Sequence, residues 1–215
     1  MVMLPEPDGE REGIAGSGEP LKLLLTGDSS AAGVGAASQK EALLGNVLRN
    51  LDTDYKISFQ LVARTGARTR NIIKRLQRLS DNKVDVAVTV LGVNDVTSGI
   101  PEKEWLSDQR ELYGLLRKRF QADHILVSGL PPVSEFPALP QPLRWFLGRR
   151  ALSFNAALER ICEQEGCQYI SPERVGGDAS MMASDGFHPG PGIYKLWGEE
   201  IARTIRLVRD QSVQG

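Results

Sequence analysis

A chain of 215 residues with 41% hydrophobic and 25% charged residues suits one globular domain with a continuous core. Its formal net charge of −1 gives no basic footprint for a nucleic-acid partner, and no apolar run approaches the ~20 residues that span a bilayer. Cys162 and Cys167 are its two cysteines; their spacing fits no zinc or redox motif, so they read as reduced structural thiols and no metal site is expected.

Residues 1–20, rich in Gly, Pro and Glu, read as an extended arm before a domain over 21–215. They lack the charged start, apolar middle and cleavage site of a secretory signal, which predicts a cytoplasmic chain. "LKLLLTG" (21–27) is a short buried strand, and "QKEALLGNVLRNL" (39–51) carries apolar residues at helical spacing. "KISFQLVARTG" (56–66) is a second strand, followed by the basic amphipathic helix "ARTRNIIKRLQRL" (67–79). "VDVAVTVLG" (84–92) is a third strand, 103–120 a long helix, and "HILVSGL" (124–130) a fourth strand. The segment 131–150 is dense in proline and has no clean apolar period. A helix through 151–166, a short strand near "CQYISP" and a closing helix over 191–209 complete the chain. Strand and helix alternating in this way predict a three-layer α/β/α domain around a parallel five-stranded sheet. Right-handed crossovers leave a flavodoxin-like strand order as the simplest topology.

In such a sheet, ligands bind beyond the carboxyl ends of the strands. The first strand ends in Gly27-Asp28-Ser29, the second in "RTGARTR" with Gly66, and the third in "GVNDVTSG" with Asn94 and Asp95. A serine hydroxyl can attack an acyl carbonyl, and the Ser29 N–H, the Gly66 N–H and the Asn94 amide can hold the resulting oxyanion. Glycine at 66 and the small residues after Ser29 are expected to keep the backbone open to substrate. A helix starting there favours negative charge. The base is sought among two histidines. His124 begins the fourth strand at the opposite end of the sheet and reads as structural. His188 stands in "SDGFHPGPG" (184–192), with Asp185 three residues before it. Asp185 can accept from the imidazole Nδ1–H and leave Nε2 as the base.

Asp28 reads as a brace for its loop and Asp95 as a structural acceptor. Arg64, Arg68 and Arg70 read as a solvated helix start rather than an anion site. Trp145, Phe146 and Leu147 leave several readings open: an acyl-chain wall, a lid, a surface for transient lipid contact, or ordinary packing. Tyr194 and Trp197 are expected to pack the last helix on the sheet.

"GDSSAAGVG", "RTGA", "GVND" and "DGFHPGPGIY" resemble, in order, the four motif blocks of the SGNH/GDSL hydrolases, over about residues 21–195. The resemblance implies Ser29 as nucleophile, Asp185 and His188 as the rest of a triad, and Gly66 and Asn94 as oxyanion partners of Ser29. It implies hydrolysis of small-molecule carboxylic esters, a lipase-like esterase activity without metal or organic cofactor. A thioesterase or a carbohydrate O-acetylesterase on the same machinery is the alternative, and a non-catalytic binding module a more distant one. Ser30 stands where the family's short name has Leu, a position with no catalytic role. Ser29 is not in a G-x-S-x-G elbow, and no Gly-Lys-Ser/Thr follows the glycines. Oligomeric state is not readable from the sequence.

Overall fold

The computed structural model describes residues 4–175 and 178–213. Its strands are β1 (Glu12–Ala15), β2 (Glu19–Gly27), β3 (Tyr55–Ala63), β4 (Val86–Val90), β5 (His124–Ser128) and β6 (Gln168–Ile170). Its helices are α1 (Ser29–Ala32), α2 (Leu43–Leu51), α3 (Thr69–Leu76), α4 (Val93–Thr97), α5 (Glu102–Arg119), α6 (Leu143–Glu165), α7 (Pro172–Val175) and α8 (Pro191–Val213). The sheet order is β1-β3-β2-β4-β5-β6. Strands β2 to β6 run parallel to one another and follow the flavodoxin-like order.

The sheet has six strands rather than the five expected. The extra one, β1, lies within the stretch read as an arm and pairs antiparallel with β3 at the edge. It is held by backbone ladder bonds, and its one large apolar side chain, Ile14, is 66% exposed. A strand that buries so little leaves no apolar pattern to read. Residues 1–3 of the arm lie outside the described residues.

Alternation along the central strands divides the core into two layers. Leu21, Leu23 and Leu25 of β2, with Val86, Val88 and Val90 of β4, join the cluster beneath α2 and α8. Leu24 and Ala87 point the other way, toward α3, α5 and α6. There Trp105 stacks on Phe154 at 4.6 Å. Tyr194 and Trp197, in the first turns of α8, are buried as expected. Helix α6 starts eight residues before the expected 151, directly after Pro142, a residue type that suits a helix start. Its buried stripe of Leu147, Ala151, Phe154, Leu158 and Ile161 is regular. Exposed apolar residues on its other face hide that period in the sequence.

From β2 the chain crosses to β3 on one side, and from β4 to β5 on the other. The crevice between the carboxyl ends of β2 and β4 is therefore the topological switch point. Ser29 and Asn94 follow those two strand ends.

Candidate active site

Asp28 turns the chain out of β2 and caps α1, accepting from the Ser30 N–H at 3.0 Å. Its own N–H donates to the Val90 carbonyl at 3.1 Å, which fixes the loop to β4. Ser29 thus begins α1 largely buried. Helix α1 has four residues, too few to sum the helix dipole expected to favour negative charge. The small residues after Ser29 also serve another purpose than the one expected. Ala31, Ala32 and Val34 are buried in the core. At Gly35 the backbone has φ +101°, and a Cβ there would collide with the Pro189 carbonyl. Small residues let the loop after Ser29 lie against the loop that carries His188. The Tyr194 hydroxyl locks the pair by donating to the Val34 carbonyl at 2.6 Å.

His188 Nε2 lies 3.1 Å from Ser29 Oγ across 159 residues of sequence. On its other side, Nδ1 is 2.6 Å from Asp185 Oδ2. Asp185 Oδ1 accepts from the backbone N–H groups of Phe187 and His188, both at 3.0 Å. Burial raises the affinity of Asp185 for a proton, but these backbone and imidazole hydrogen bonds outweigh it and hold the carboxyl below its ordinary value. An ionised Asp185 accepts a hydrogen bond from Nδ1–H, which keeps the proton on Nδ1 and leaves the Nε2 lone pair facing the serine hydroxyl. The structure therefore brings Ser29, His188 and Asp185 into one chain of hydrogen bonds.

Gly66 has φ +73°, and a Cβ there would meet nothing within 4 Å. The left-handed turn, rather than lack of space, calls for glycine. The turn is held from outside the site: the Thr65 N–H and hydroxyl both donate to Glu6 Oε1 at 2.7 Å. Glu6 in turn pairs with Arg11, which also donates to the Ala63 carbonyl. Nothing in the sequence singles out Glu6, one acid among several in a Gly- and Pro-rich stretch. Asn94 Nδ2 donates to the Ala67 carbonyl at 3.1 Å and lies 3.4 Å from Asp28 Oδ2. It thus bridges the Gly66 turn and the residue before Ser29. The N–H groups of Ser29 and Gly66 have no acceptor among the described residues.

Burial raises Asp28 to about 7, against the Ser30 hydrogen bond that lowers it, and Asp95 adds to the rise. Burial also raises Asp95 to about 6, opposed by two hydrogen bonds from Thr69. Those bonds come from the Thr69 N–H and hydroxyl at 3.1 and 3.0 Å, and Thr69 Oγ1 accepts from Trp105 and Gln109. Both carboxyls are structural acceptors, as expected. Arg70 is taken up by Asp108 and Glu111. Cys162 and Cys167 are free and buried, and burial pushes their thiols up to about 12 and about 11. Among the described residues no group of three or more His, Cys, Asp or Glu side chains is placed to hold a metal.

A cleft opens beside Ser29 and His188, about 770 Å³ with its open mouth included. Pro131, Pro132, Phe136, Met182, Phe187 and Trp197 supply much of its apolar wall, and Glu135 and Asp178 add carboxylates. Trp145, Phe146 and Leu147 do not line it, which overturns the acyl-wall reading. Trp145 and Phe146 are 61% and 53% exposed, and Leu147 is in the core. The reason is the packing of α6. Its inner face, with Gly148 against Ser134, rests on the 3-10 turn Val133–Glu135. The chain around that turn, at Pro132, Glu135 and Phe136, reaches the cleft instead.

Residues 25–196 match the model of the GDSL-like lipase/acylhydrolase family. A GDSL-like esterase of Mycobacterium tuberculosis is 25% identical over 197 residues, spanning 86% of this chain and 61% of that protein. The chain therefore covers less than two thirds of that relative. The crystal structure of TesA superposes with a TM-score of 0.68 at 24% identity, covering 86% of this chain and 98% of TesA. The psychrotrophic esterase EstA of Pseudoalteromonas sp., in a structure inhibited by monoethylphosphonate, gives a TM-score of 0.67 at 20% identity, with 88% and 98% covered. At these identities the two structures share the fold with this chain.

Proposed function

We propose that this chain, which belongs to the GDSL-like lipase/acylhydrolase family, is a serine hydrolase that cleaves uncharged carboxylic esters with an apolar acyl group. One observation carries the reading: the continuous contact from Asp185 through His188 to Ser29, at 2.6 and 3.1 Å. His188 Nε2 takes the hydroxyl proton as Ser29 Oγ attacks the acyl carbonyl. The carbonyl electrons move to oxygen, where the N–H groups of Ser29 and Gly66 and the Asn94 amide receive the charge. The Ala67 carbonyl orients Asn94, and the amide proton near Asp28, held at a long 3.4 Å, is the one offered to substrate. As the tetrahedral intermediate collapses, the ester C–O bond breaks and protonated His188 gives its proton to the leaving alcohol. Water then attacks the acyl-serine and loses its proton to His188, which passes it to Ser29 Oγ as the acyl C–O bond breaks and the acid leaves.

The cleft supports the substrate class. Its apolar wall suits a hydrocarbon chain, while its carboxylates repel an anionic one. The same wall disfavours an acetylated sugar, which needs polar partners. The test is hydrolysis of p-nitrophenyl esters from acetate to dodecanoate by wild type and Ser29→Ala. Turnover falls at least ~10⁴-fold in the variant. In the wild type kcat/KM rises roughly fourfold per added methylene until the cleft is full, from ~0.8 kcal/mol per buried CH2. Equal turnover by Ser29→Ala refutes the mechanism; a preference for acetate refutes the apolar acyl site.

A further inference from the structure

We propose that the outward face of the first three turns of α6 is a docking surface for an anionic lipid bilayer. Leu143, Trp145, Phe146 and Leu152, at 45%, 61%, 53% and 65% exposure, crowd large apolar side chains into ten positions of this helix. Trp145, Arg149 and Leu152 form one stripe at helical spacing, with Phe146 beside it. The later turns of the same helix expose Glu159, Arg160 and Glu163 instead, the usual solvated face. One helix thus carries two different outer surfaces.

Charge selects the occupant. No Asp or Glu occurs between Glu135 and Glu159, while Arg144, Arg149 and Arg150 do. None of the three arginines is in an ion pair among the described residues. Arg150 lies over the Phe154 ring and donates to the Ile100 carbonyl. Exposed Arg149 and half-buried Arg144 supply the free charge. Trp, Phe and Leu beside Arg is the composition that settles at the boundary of headgroups and acyl chains. No described helix is long and apolar enough to cross a membrane, so α6 lies on the surface.

A second copy of the chain fits less well. A two-fold contact centred here sets Arg149 against its own copy with no carboxylate on this stretch of α6 to receive it. The strip of ten positions also falls short of the ~20–30 residues a side that a stable dimer uses. The inner face of the same turns rests on the 3-10 turn whose Glu135 borders the cleft. A bilayer held by α6 is therefore about one helix diameter, ~10 Å, from the wall of the proposed acyl site.

The test is co-sedimentation of the full chain with vesicles of non-hydrolysable ether-linked lipids. One set is all phosphatidylcholine, and the other has roughly one third phosphatidylglycerol. Because no ester is present, the result does not depend on the esterase reading. The wild type sediments with the anionic vesicles, and less as salt rises. Trp145→Ala/Phe146→Ala and, separately, Arg149→Glu weaken binding on the order of ten-fold with unchanged melting temperature. Leu207→Ala, at an exposed apolar site on α8, leaves binding unchanged. No sedimentation, or equal binding to both vesicle types that ignores salt and Arg149→Glu, overturns the proposal. So does a dimer in gel filtration that Trp145→Ala/Phe146→Ala converts to monomer, which assigns the face to a second copy.

Discussion

Replacing Asp185 by Asn keeps the side chain's shape but removes its charge and reverses one hydrogen bond, and it is expected to cripple the proposed reaction. Asp185 Oδ1 accepts two backbone N–H groups at 3.0 Å, and Oδ2 faces His188 Nδ1 at 2.6 Å. An asparagine has one oxygen, and the two backbone donors hold it where Oδ1 was. The NH2 then faces Nδ1 and donates to it. His188 must take the tautomer with its proton on Nε2, the atom 3.1 Å from Ser29 Oγ. The base then points a proton, not a lone pair, at the serine. The opposite rotamer restores an acceptor to Nδ1 but sets NH2 against two N–H donors, at ~1–3 kcal/mol for each group left unpaired. Both routes are costly, and a loss of about 10³–10⁴-fold in kcat follows, the scale of this exchange in a serine-protease triad. That corresponds to ~4–5.5 kcal/mol of barrier. KM stays near wild type because Asp185 does not border the cleft. The assay is p-nitrophenyl butyrate hydrolysis at neutral pH, with melting temperature measured alongside. A variant that keeps turnover within tenfold of wild type would falsify the assignment of Nε2 as base.

Asn94→Ala lowers kcat by ~10²–10³ with KM little changed, as removal of one oxyanion donor does; kcat within twofold of wild type removes Asn94 from the site. Glu6→Ala frees both Thr65 donors and slackens the Gly66 turn, so kcat drops about ten-fold through misplacement of a donor. The melting temperature moves by only a few degrees, because the Glu6–Arg11 pair is about one-third exposed; an unchanged kcat shows that the turn holds itself. Asp28 carries the pH prediction. Its folded value of about 7 lies above its ordinary 3.8, so between those limits the native state binds a proton that the unfolded chain has released. Stability contributed by this group is full below about pH 4 and is lost as pH rises toward 7. Asp28→Asn flattens that decline in melting temperature between pH 4 and 7, and an unaltered slope refutes the account.

The residues that the structure brings together at the candidate site are legible in the sequence because each sits beside a local signal. A buried strand that stops at Gly-Asp-Ser, a β-branched run closed by Gly-Val-Asn, and a His three residues after an Asp can each be read within ten positions. The sheet order added the rule about strand ends and joined residues 159 apart. Features held by backbone or by long-range convergence were not legible. Strand β1 pairs through its main chain and exposes its apolar residue. Glu6 acts through Thr65, 59 residues away. The cleft wall gathers generic apolar residues from several connections, none with a pattern of its own. Trp145 and Phe146 left several readings open for a related reason: adjacent aromatic residues do not reveal which helix face is inward until the packing of Gly148 on Ser134 is known.

These differences in legibility follow a division of labour in the fold. Ser29 and Asn94 sit at the ends of central strands, where the register Gly27 to Val90 and the bond from Asp28 to Val90 fix their spacing. Much of the cleft wall sits on the connections after β5 and β6, where the sheet imposes less. The wall can therefore change without moving Ser29 or Asn94, but not without regard to His188. Phe187 packs edge-on against Phe136 of the wall and against the His188 ring, both at 5.2 Å. The Ala138 N–H also donates to the Gly186 carbonyl at 3.0 Å, tying the wall segment to the same loop. A wall residue such as Pro132 has no such link to the imidazole, so changing it alters acyl preference alone. Phe136→Ala removes the ring that backs Phe187, and its expected effect reaches kcat as well as preference because His188, the proposed base, loses part of its support.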